Sequence, residues 1–453
     1  MQNIMLRQKR EPILLVIGDI LLLTISLELT LLIRYGANVP KGLTFQDHIV
    51  PFSILFAVWL GVFFVAGLYE KHTTILRRKL PPILIRATLI NSVIAVLFFY
   101  FIPYFNVTPK LNLFLYLIVS SALVSFWRLY GVDFFSPRHK QTAILVGEGD
   151  EMQELFREVN ENSRYDIRFA EVFDLRSFSE SPSVDFLTTA VRERGASVVV
   201  VDLGSDRLQK FLPTLYSLIF SNIQFIEMHK IYEDVFDRIP LSSVRHNWFL
   251  ENISLAPHIT YDILKRLMDI LISLPLLLIP VVSYPFVLIA IKIEDGGGVF
   301  THQKRIGKNN GIVRLVKYRT MLFNDDGDWR EKGKENKVTR VGAFLRKTRL
   351  DEFPQLWSVL TGDISLIGPR PEFPEPVKVY ASQVPYYNIR HLIKPGLSGW
   401  AQVYGEHPHH GIDMEKTSNK LSYDLYYIKN RSIALDLKIA LRTLQKLLSQ
   451  SGV

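Results

Sequence analysis

Four apolar runs in the first 135 residues constrain this chain more than any other feature. They occupy residues 12–35, 47–69, 82–105 and 111–135. Each reaches the ~20 residues that a helix needs to cross a hydrocarbon core about 30 Å thick. The first run is too long for a signal-peptide core, has no small-residue cleavage site behind it and precedes three more runs, so it reads as retained. Residues 1–137 are therefore expected to form a four-helix transmembrane anchor. Cations mark one side of it. Arg7, Lys9 and Arg10 precede the first run, Lys71, Arg77, Arg78 and Lys79 lie between the second and third, and Arg138 and Lys140 follow the fourth. The opposite connections hold little more than Lys41 and Lys110. The positive-inside rule then places both termini, and everything after residue 136, in the cytoplasm.

Span one carries Asp19 and Glu28. An ionisable group at membrane depth is a functional candidate by default. No charged cluster in the other spans answers this pair, and hydrogen bonding within the anchor is the favoured reading.

The chain carries a formal net charge of +9, which suits an anionic partner: nucleic acid, lipid headgroups or phosphorylated metabolites. It has no cysteine, which excludes disulfides, thiolate nucleophiles and sulfur-ligated metals. Any metal must be held by oxygen or imidazole.

From residue 138 to 255 short β-rich runs alternate with helical ones: TAILVGEGDEMQELFREV, IRFAEVF, ASVVVVDLG and NIQFIEM. This alternation predicts a Rossmann-like, doubly wound α/β domain with a parallel sheet. Its first turn sets Gly147 and Gly149 at a strand end, but Met152 stands where a dinucleotide fingerprint has its third glycine. Glu148 and Asp150 add negative charge where a pyrophosphate would sit. A structural or regulatory domain is the better reading, and phosphate binding the lesser.

Residues 256–453 are expected to be a further, mostly helical domain. It opens with the apolar segment 262–293, which contains Pro275, Pro280 and Pro285. Each proline removes a backbone donor and strains the preceding turn, so one straight helix through all three is disfavoured. Lys265, Arg266 and Lys292 flank the segment, with Lys304 and Arg305 beyond, which suggests that it enters and leaves on one face. A re-entrant hairpin is favoured over a kinked fifth span.

Ordered motifs follow: FTHQKRIG, VKYRTM, LRKTRLDEFPQLWSVLTGDISLIGPRPE, IKPGLSGWAQVYG and LSYDLYYIKN. Over residues 262 to about 446 the chain resembles the monotopic phosphoglycosyl transferases, or bacterial sugar transferases. The four-span anchor and Rossmann-like domain resemble the long-form members that start capsule, exopolysaccharide or O-antigen synthesis. Bacterial members of this kind work in the inner membrane.

Within TRLDEFPQLW, Phe353, Leu356, Trp357 and Leu360 recur at helical spacing, which predicts a helix with Asp351 as its N-cap and Pro354 in its first turn. The helix dipole and the nearby Arg346, Lys347 and Arg349 would favour an ionised Asp351. Beside phosphate-neutralising cations, an ionised aspartate is a competent nucleophile toward phosphorus. Adjacent Glu352 is able to hold a divalent ion.

The resemblance implies more. In that family the aspartate of the Asp-Glu dyad attacks the β-phosphate of a UDP-sugar, expels UMP and becomes a phosphosugar ester. Undecaprenyl phosphate then takes up the phosphosugar, and magnesium is required. Carried onto this chain, Asp351 is the nucleophile and Glu352 the Mg2+ ligand. Lys317, Arg319, Arg346, Arg370 and Lys394 become phosphate or nucleotide contacts. Asp424 joins them as an acid that orients one of the arginines. Family members usually carry Ser-Pro at the membrane bend; here Ser283-Tyr284-Pro285 comes nearest and Pro280 is its rival. The chain also departs from the family at Tyr404 and Glu406, so only the backbone turn around Gly396 and Gly399 is carried over from that region. The implied partners are a UDP-sugar, undecaprenyl phosphate and the membrane, with no nucleic acid, and a homodimer is an assembly to consider.

Two rival readings are weaker. A membrane-anchored sugar-nucleotide dehydratase would use a Tyr-x-x-x-Lys, which occurs as Tyr261 to Lys265, but that pair lies on the run into the membrane segment. A non-catalytic scaffold would explain the anchor but not the Asp-Glu dyad with its arginines. His407, His409 and His410 read as a solvated loop rather than a metal tract.

Overall fold

The protein is described here from a computed structural model covering residues 2–36, 45–69, 80–101, 110–130, 140–162, 165, 167–177, 184–221, 223–253, 259–322, 337–405 and 413–448. The basic connections at Lys71, Arg77–Lys79 and Arg138, and the histidines 407, 409 and 410, fall outside these residues.

The apolar runs form helices α1 (Gln2–Tyr35), α2 (Phe45–Val65), α3 (Leu80–Phe101) and α4 (Lys110–Tyr130). Their inner faces meet around Leu23, Leu27, Phe52, Leu55, Trp59 and Tyr116. Ile17, Leu21, Ile85, Leu89 and Phe126 remain exposed on the outside, as helices that are apolar all round require of a lipid-facing surface. Asp19 does have a charged answer, contrary to expectation. Arg128 of α4 donates from Nε to Asp19 Oδ1 at 3.1 Å and from NH2 to Oδ2, and the Tyr69 hydroxyl donates to Oδ2 at 2.7 Å. A lone arginine near the end of an apolar run looks like a flank, and only the folded bundle reveals its partner. Glu28 is exposed.

The next unit runs β1 (Gln141–Gly147), α5 (Asp150–Glu161), β2 (Ile167–Asp174), α6 (Val184–Glu193), β3 (Val198–Val201), α7 (Leu212–Leu218), β4 (Gln224–Glu227), α8 (Met228–Phe236) and α9 (His246–Asn252). The strands pair in parallel in the order β2-β1-β3-β4. Because strand side chains alternate, Ala143, Leu145, Val198 and Val200 meet Met152, Leu155 and Tyr232 on one face. Ile144, Val146, Val199 and Val201 meet Leu187, Val191 and Leu215 on the other. This is the doubly wound arrangement that the sequence predicts.

The last unit contains α10 (Ile259–Leu276), α11 (Leu278–Glu294), an antiparallel hairpin β5 (Phe300–Ile306) and β6 (Ile312–Tyr318), α12 (Arg340–Thr348), α13 (Leu356–Thr361), β7 (Ser365–Ile367), α14 (Pro374–Gln383), β8 (Gly396–Ser398), α15 (Trp400–Tyr404), α16 (Met414–Lys429) and α17 (Ile433–Leu448). With α1 to α4, the stretch Ile259–Glu294 makes five segments long and apolar enough to cross a membrane among the described residues. Its break lies at Leu277. Pro280, in the first turn of α11, lacks the N–H that would bond the Leu276 carbonyl, whereas Pro285 stays inside α11. The helix interruption therefore belongs to Pro280 and not to Pro285.

Both helices of this segment are tied to the same folded unit. On α10, Lys265 pairs with Asp436 at 2.9 Å, Arg266 donates to the Val359 and Leu360 carbonyls at 2.6 Å, and Asp269 Oδ1 accepts from Ser365 Oγ and Leu366 N at 3.1 Å. On α11, the Pro280 carbonyl accepts from the Tyr318 hydroxyl at 2.9 Å, and Val287 and Ile291 share a core with Tyr318 and Leu345. Between these ties Leu271, Leu274, Leu276 and Leu278 are exposed.

Candidate active site

Asp351 is not an N-cap. Arg349 ends α12 in the left-handed region at φ 58°, and a 3-10 turn over Leu350–Gln355 then leads into α13. Asp351 thus lies inside the turn. The buried face also differs from the apolar spacing. Asp351, Pro354, Gln355, Leu356, Ser358 and Val359 turn inward, while Trp357 is 60% exposed. A polar stripe is buried where the sequence pointed to an aromatic one.

Asp351 is 9% exposed, and its Oδ1 has no hydrogen-bond partner among the described residues. Burial pushes its carboxyl above the ordinary range, and the Glu352 charge adds to this against the pull of Lys317, Arg346 and Arg349. The expectation of a readily ionised aspartate is corrected: desolvation outweighs the cations. Glu352 goes the other way. Its Oε1 accepts from Lys317 Nζ of β6 at 2.8 Å and from Arg370 NH2 at 2.9 Å. Burial disfavours its charge, but Arg370 and Lys317 together hold it well below the usual carboxylate range. The dyad therefore comprises one carboxyl whose ionisation burial disfavours and one that its cations hold as an anion.

Arg370 sits in the loop Gly368–Glu372, and this loop is braced from several sides. Arg390 donates from NH2 to the Arg370 carbonyl at 3.0 Å, Arg305 donates to the Pro371 carbonyl at 3.3 Å, and Glu372 pairs with Lys420. The loop's first residue crosses β8 at van der Waals range. A Cβ on Gly396 would stand 2.1 Å from Gly368 N, and one on Gly399 would stand 2.2 Å from Gly368 O. Only glycine permits this approach.

The remaining candidates divide. Arg319 is not available to a ligand: its guanidinium is spent on Asp295 and on the carbonyls of Gly298, Met321 and Leu322. Arg346 donates to Thr320 Oγ1 at 2.9 Å and adds positive charge at Asp351. Lys394 is exposed near Gly362, at the end of α13. Asp424 binds none of the anticipated arginines. Its partner is Arg390, a residue the sequence did not single out, since their pairing joins positions 34 apart with no shared motif.

The bacterial sugar transferase profile matches residues 260–450. An uncharacterized sugar transferase of Bacillus subtilis, EpsL, is 37% identical over 191 residues, covering 42% of this chain and 90% of that protein. This chain belongs to the bacterial sugar transferase family.

Two further relatives carry fuller names. A UDP-N-acetylgalactosamine-undecaprenyl-phosphate N-acetylgalactosaminephosphotransferase of Aeromonas hydrophila is 38% identical over 272 residues, covering 56% of this chain and 59% of that protein. A UDP-glucose:undecaprenyl-phosphate glucose-1-phosphate transferase of Klebsiella pneumoniae is 38% identical over 189 residues, covering 41% of this chain and 40% of that protein. The chain thus spans only about 59% and 40% of the length of these two relatives.

In this family member polar groups at the switch point of the Rossmann-like sheet pair with one another. Order β2-β1-β3-β4 puts that point between β1 and β3. There Ser242 donates to Glu151, Ser243 Oγ donates to Asp202 Oδ2 at 3.3 Å, and Ser205 Oγ donates to Glu148 Oε1 at 2.7 Å. A Cβ on Gly204 would stand 1.9 Å from the Ser243 carbonyl oxygen, so the segment carrying Ser242 and Ser243 seats directly on the loop after β3. The same connection reaches the catalytic unit, where Trp400 Nε1 donates to the Asp237 carbonyl at 2.8 Å and Lys429 pairs with Glu233 at 2.6 Å.

A divalent cation is compatible with the dyad. No group of three or more His, Asp or Glu converges among the described residues. Mg2+ is a hard ion commonly held by one or two carboxylates, with phosphate oxygens and water completing its shell. The anionic Glu352 would supply such an oxygen, which leaves the partnerless Asp351 Oδ1 unengaged.

Proposed function

We propose that this protein transfers a sugar-1-phosphate from a UDP-sugar to undecaprenyl phosphate and releases UMP. The observation that carries the reading is Asp351: a buried carboxylate with a partnerless oxygen, adjacent to a glutamate anchored by Lys317 and Arg370. A carboxylate oxygen of Asp351 forms a bond to the β-phosphorus, and the bond from that phosphorus to the bridging oxygen breaks with its electron pair leaving on UMP. An oxygen of the lipid phosphate then attacks the same phosphorus and returns the Asp351 carboxylate. Arg370 and Lys317 would neutralise the diphosphate while keeping Glu352 ionised. Glu352 would hold Mg2+, which supplies charge neutralisation to the phosphoryl oxygens when bound.

The segment Ile259–Glu294 serves as a re-entrant hairpin in this reading. Its two ends are tied to one catalytic unit, and its exposed leucines lie between the ties. A hairpin in one leaflet brings a lipid phosphate to a cytoplasmic site on the bacterial inner membrane. The product would be the first lipid-linked unit of an exopolysaccharide, capsule or O-antigen.

The test is UMP release from a panel of UDP-sugars by detergent-purified protein with undecaprenyl phosphate and Mg2+. Lipid-dependent UMP from one sugar, abolished by Asp351→Ala and Asp351→Asn, is expected. Turnover unchanged in both variants would remove Asp351 as nucleophile, and no UMP from any sugar would favour a scaffold.

A further inference from the structure

Gln355 lies four positions after Asp351, on the buried polar face that the apolar spacing did not anticipate. It is 4% exposed, and its side-chain Nε2 has no hydrogen-bond partner among the described residues. Asp351 Oδ1 shares that condition on the same short helical stretch. One is an unsatisfied donor and the other an unsatisfied acceptor. Folding normally pairs buried groups of both kinds, and leaving one orphaned forfeits its hydration without return. Both orphans lie on the one short turn Leu350–Gln355, so a single ligand reaching both would satisfy them together. The acidic neighbours, by contrast, are already served, because Glu352 holds two cations.

The chemistry of the orphans defines the ligand. An amide N–H requires an acceptor, and the partnerless carboxylate oxygen takes a hydrogen-bond donor, a cation or, acting as a nucleophile, an electrophile. A phosphoryl group meets both demands: its phosphorus faces the carboxylate and its non-bridging oxygens accept from the amide. We propose that Gln355 is a substrate-binding residue whose Nε2 donates to a non-bridging oxygen of the phosphoryl group delivered to Asp351. This deepens the reading of Asp351 as nucleophile and rests on it. The amide gains most when charge builds on those oxygens during bond formation, because a preorganised buried donor needs no reorganisation at that moment. It is uncharged, so it does not compete with Arg370 and Lys317 for Glu352.

The test compares wild type with Gln355→Met and Gln355→Glu for UMP release and for thermal unfolding in detergent. Methionine matches the volume and removes the orphan donor, so the variant is expected to melt at or above the wild-type temperature. UMP release should nevertheless fall about a hundredfold, the loss typical of one preorganised donor. Glutamate keeps the shape but offers no N–H when ionised, and should be at least as impaired. If Gln355→Met stays within twofold of wild-type activity, Gln355 is a packing group and the proposal fails. If Gln355→Met loses stability and activity together while Gln355→Glu restores both, the side chain has a structural partner and the proposal also fails. A wild type that releases no UMP from any sugar instead sinks the transferase reading itself, so the two failures are distinct.

Discussion

Arg390 and Asp424 form a two-pronged contact deep inside the catalytic unit, with Nε and NH2 of the guanidinium at 2.9 and 2.8 Å from the same carboxylate oxygen, Oδ2. Both side chains are about 1% exposed. The same NH2 donates to the carbonyl of Arg370, whose own guanidinium contacts Glu352. A chain of contacts thus runs from α16 to the dyad, and Arg390 is a positioning residue. Asp424→Ala leaves the buried guanidinium with only the more distant Glu372, 3.7 Å from NH1, as counter-charge, and loss of one partner of a buried pair costs about 3–5 kcal/mol. Thermal unfolding in detergent should show it. Arg390→Lys keeps the charge but not the fork. It should release the Arg370 carbonyl and lower kcat more than it raises KM for the UDP-sugar.

Activity should have an acid limb that lies higher than an ordinary aspartate would give. Burial and Glu352 raise the Asp351 carboxyl, and a nucleophile with a raised pKa is ionised only above that value. The rate of UMP release should therefore fall tenfold per pH unit below it. Arg349 contributes positive charge at Asp351 and occupies a left-handed backbone position that asparagine also tolerates. Arg349→Asn should move the limb to higher pH, and an unmoved limb would mean that another group sets it.

The architecture was legible in the sequence wherever periodicity and length decide. Apolar N-terminal helices and the alternation of β and α elements are properties of local composition, and the structure shows both. Contacts between distant residues were not legible. Arg128, inside the fourth apolar run, went unremarked in the sequence, and its pairing appears only once α1 and α4 pack and Asp19 meets it. Arg319 and Arg370 looked alike, yet Asp295 and three carbonyls take one, while the glycine crossing at Gly368 and Gly396 presents the other to Glu352. The turn at Asp351 was misread for a related reason. Apolar spacing assumes that the buried side of a helix is its apolar side, and here the buried side carries Asp351, Gln355 and Ser358.

Acid should destabilise the catalytic unit through His391. His391 is buried, its Nδ1 lies 2.6 Å from Asn310 Oδ1, and burial with the nearby Arg390 charge lowers its pKa from 6.5 to about 4. A depressed pKa means that the unfolded chain binds a proton the folded one refuses. Stability is then fully present above about pH 6.5 and is lost as pH falls toward about 4. The loss is on the order of a few kcal/mol. Melting curves across this window should show it, and His391→Gln should flatten the dependence. A parallel slope in that variant would place the acid sensitivity elsewhere.

The Asp19–Arg128 pair should behave as a matched unit within the anchor. Arg128 also donates to the Leu68 carbonyl at 2.7 Å, and its guanidinium lies 4.5 Å from the Tyr69 ring centroid, so the arginine joins α1, α4 and the end of α2. Arg128→Met removes one charge and leaves Asp19 buried against lipid-facing helices with only the Tyr69 hydroxyl. Breaking such a pair on one side costs about 3–5 kcal/mol, whereas replacing both partners with neutral groups of similar volume is often neutral. The single variant should therefore melt lower or express poorly in membranes. The double variant Asp19→Asn/Arg128→Met should recover most of the loss. UMP release by the double variant should stay near wild type, because neither residue lies in the dyad or its arginine chain. Recovery of stability with lost turnover would instead tie the intramembrane pair to the reaction, through the hairpin or the lipid substrate.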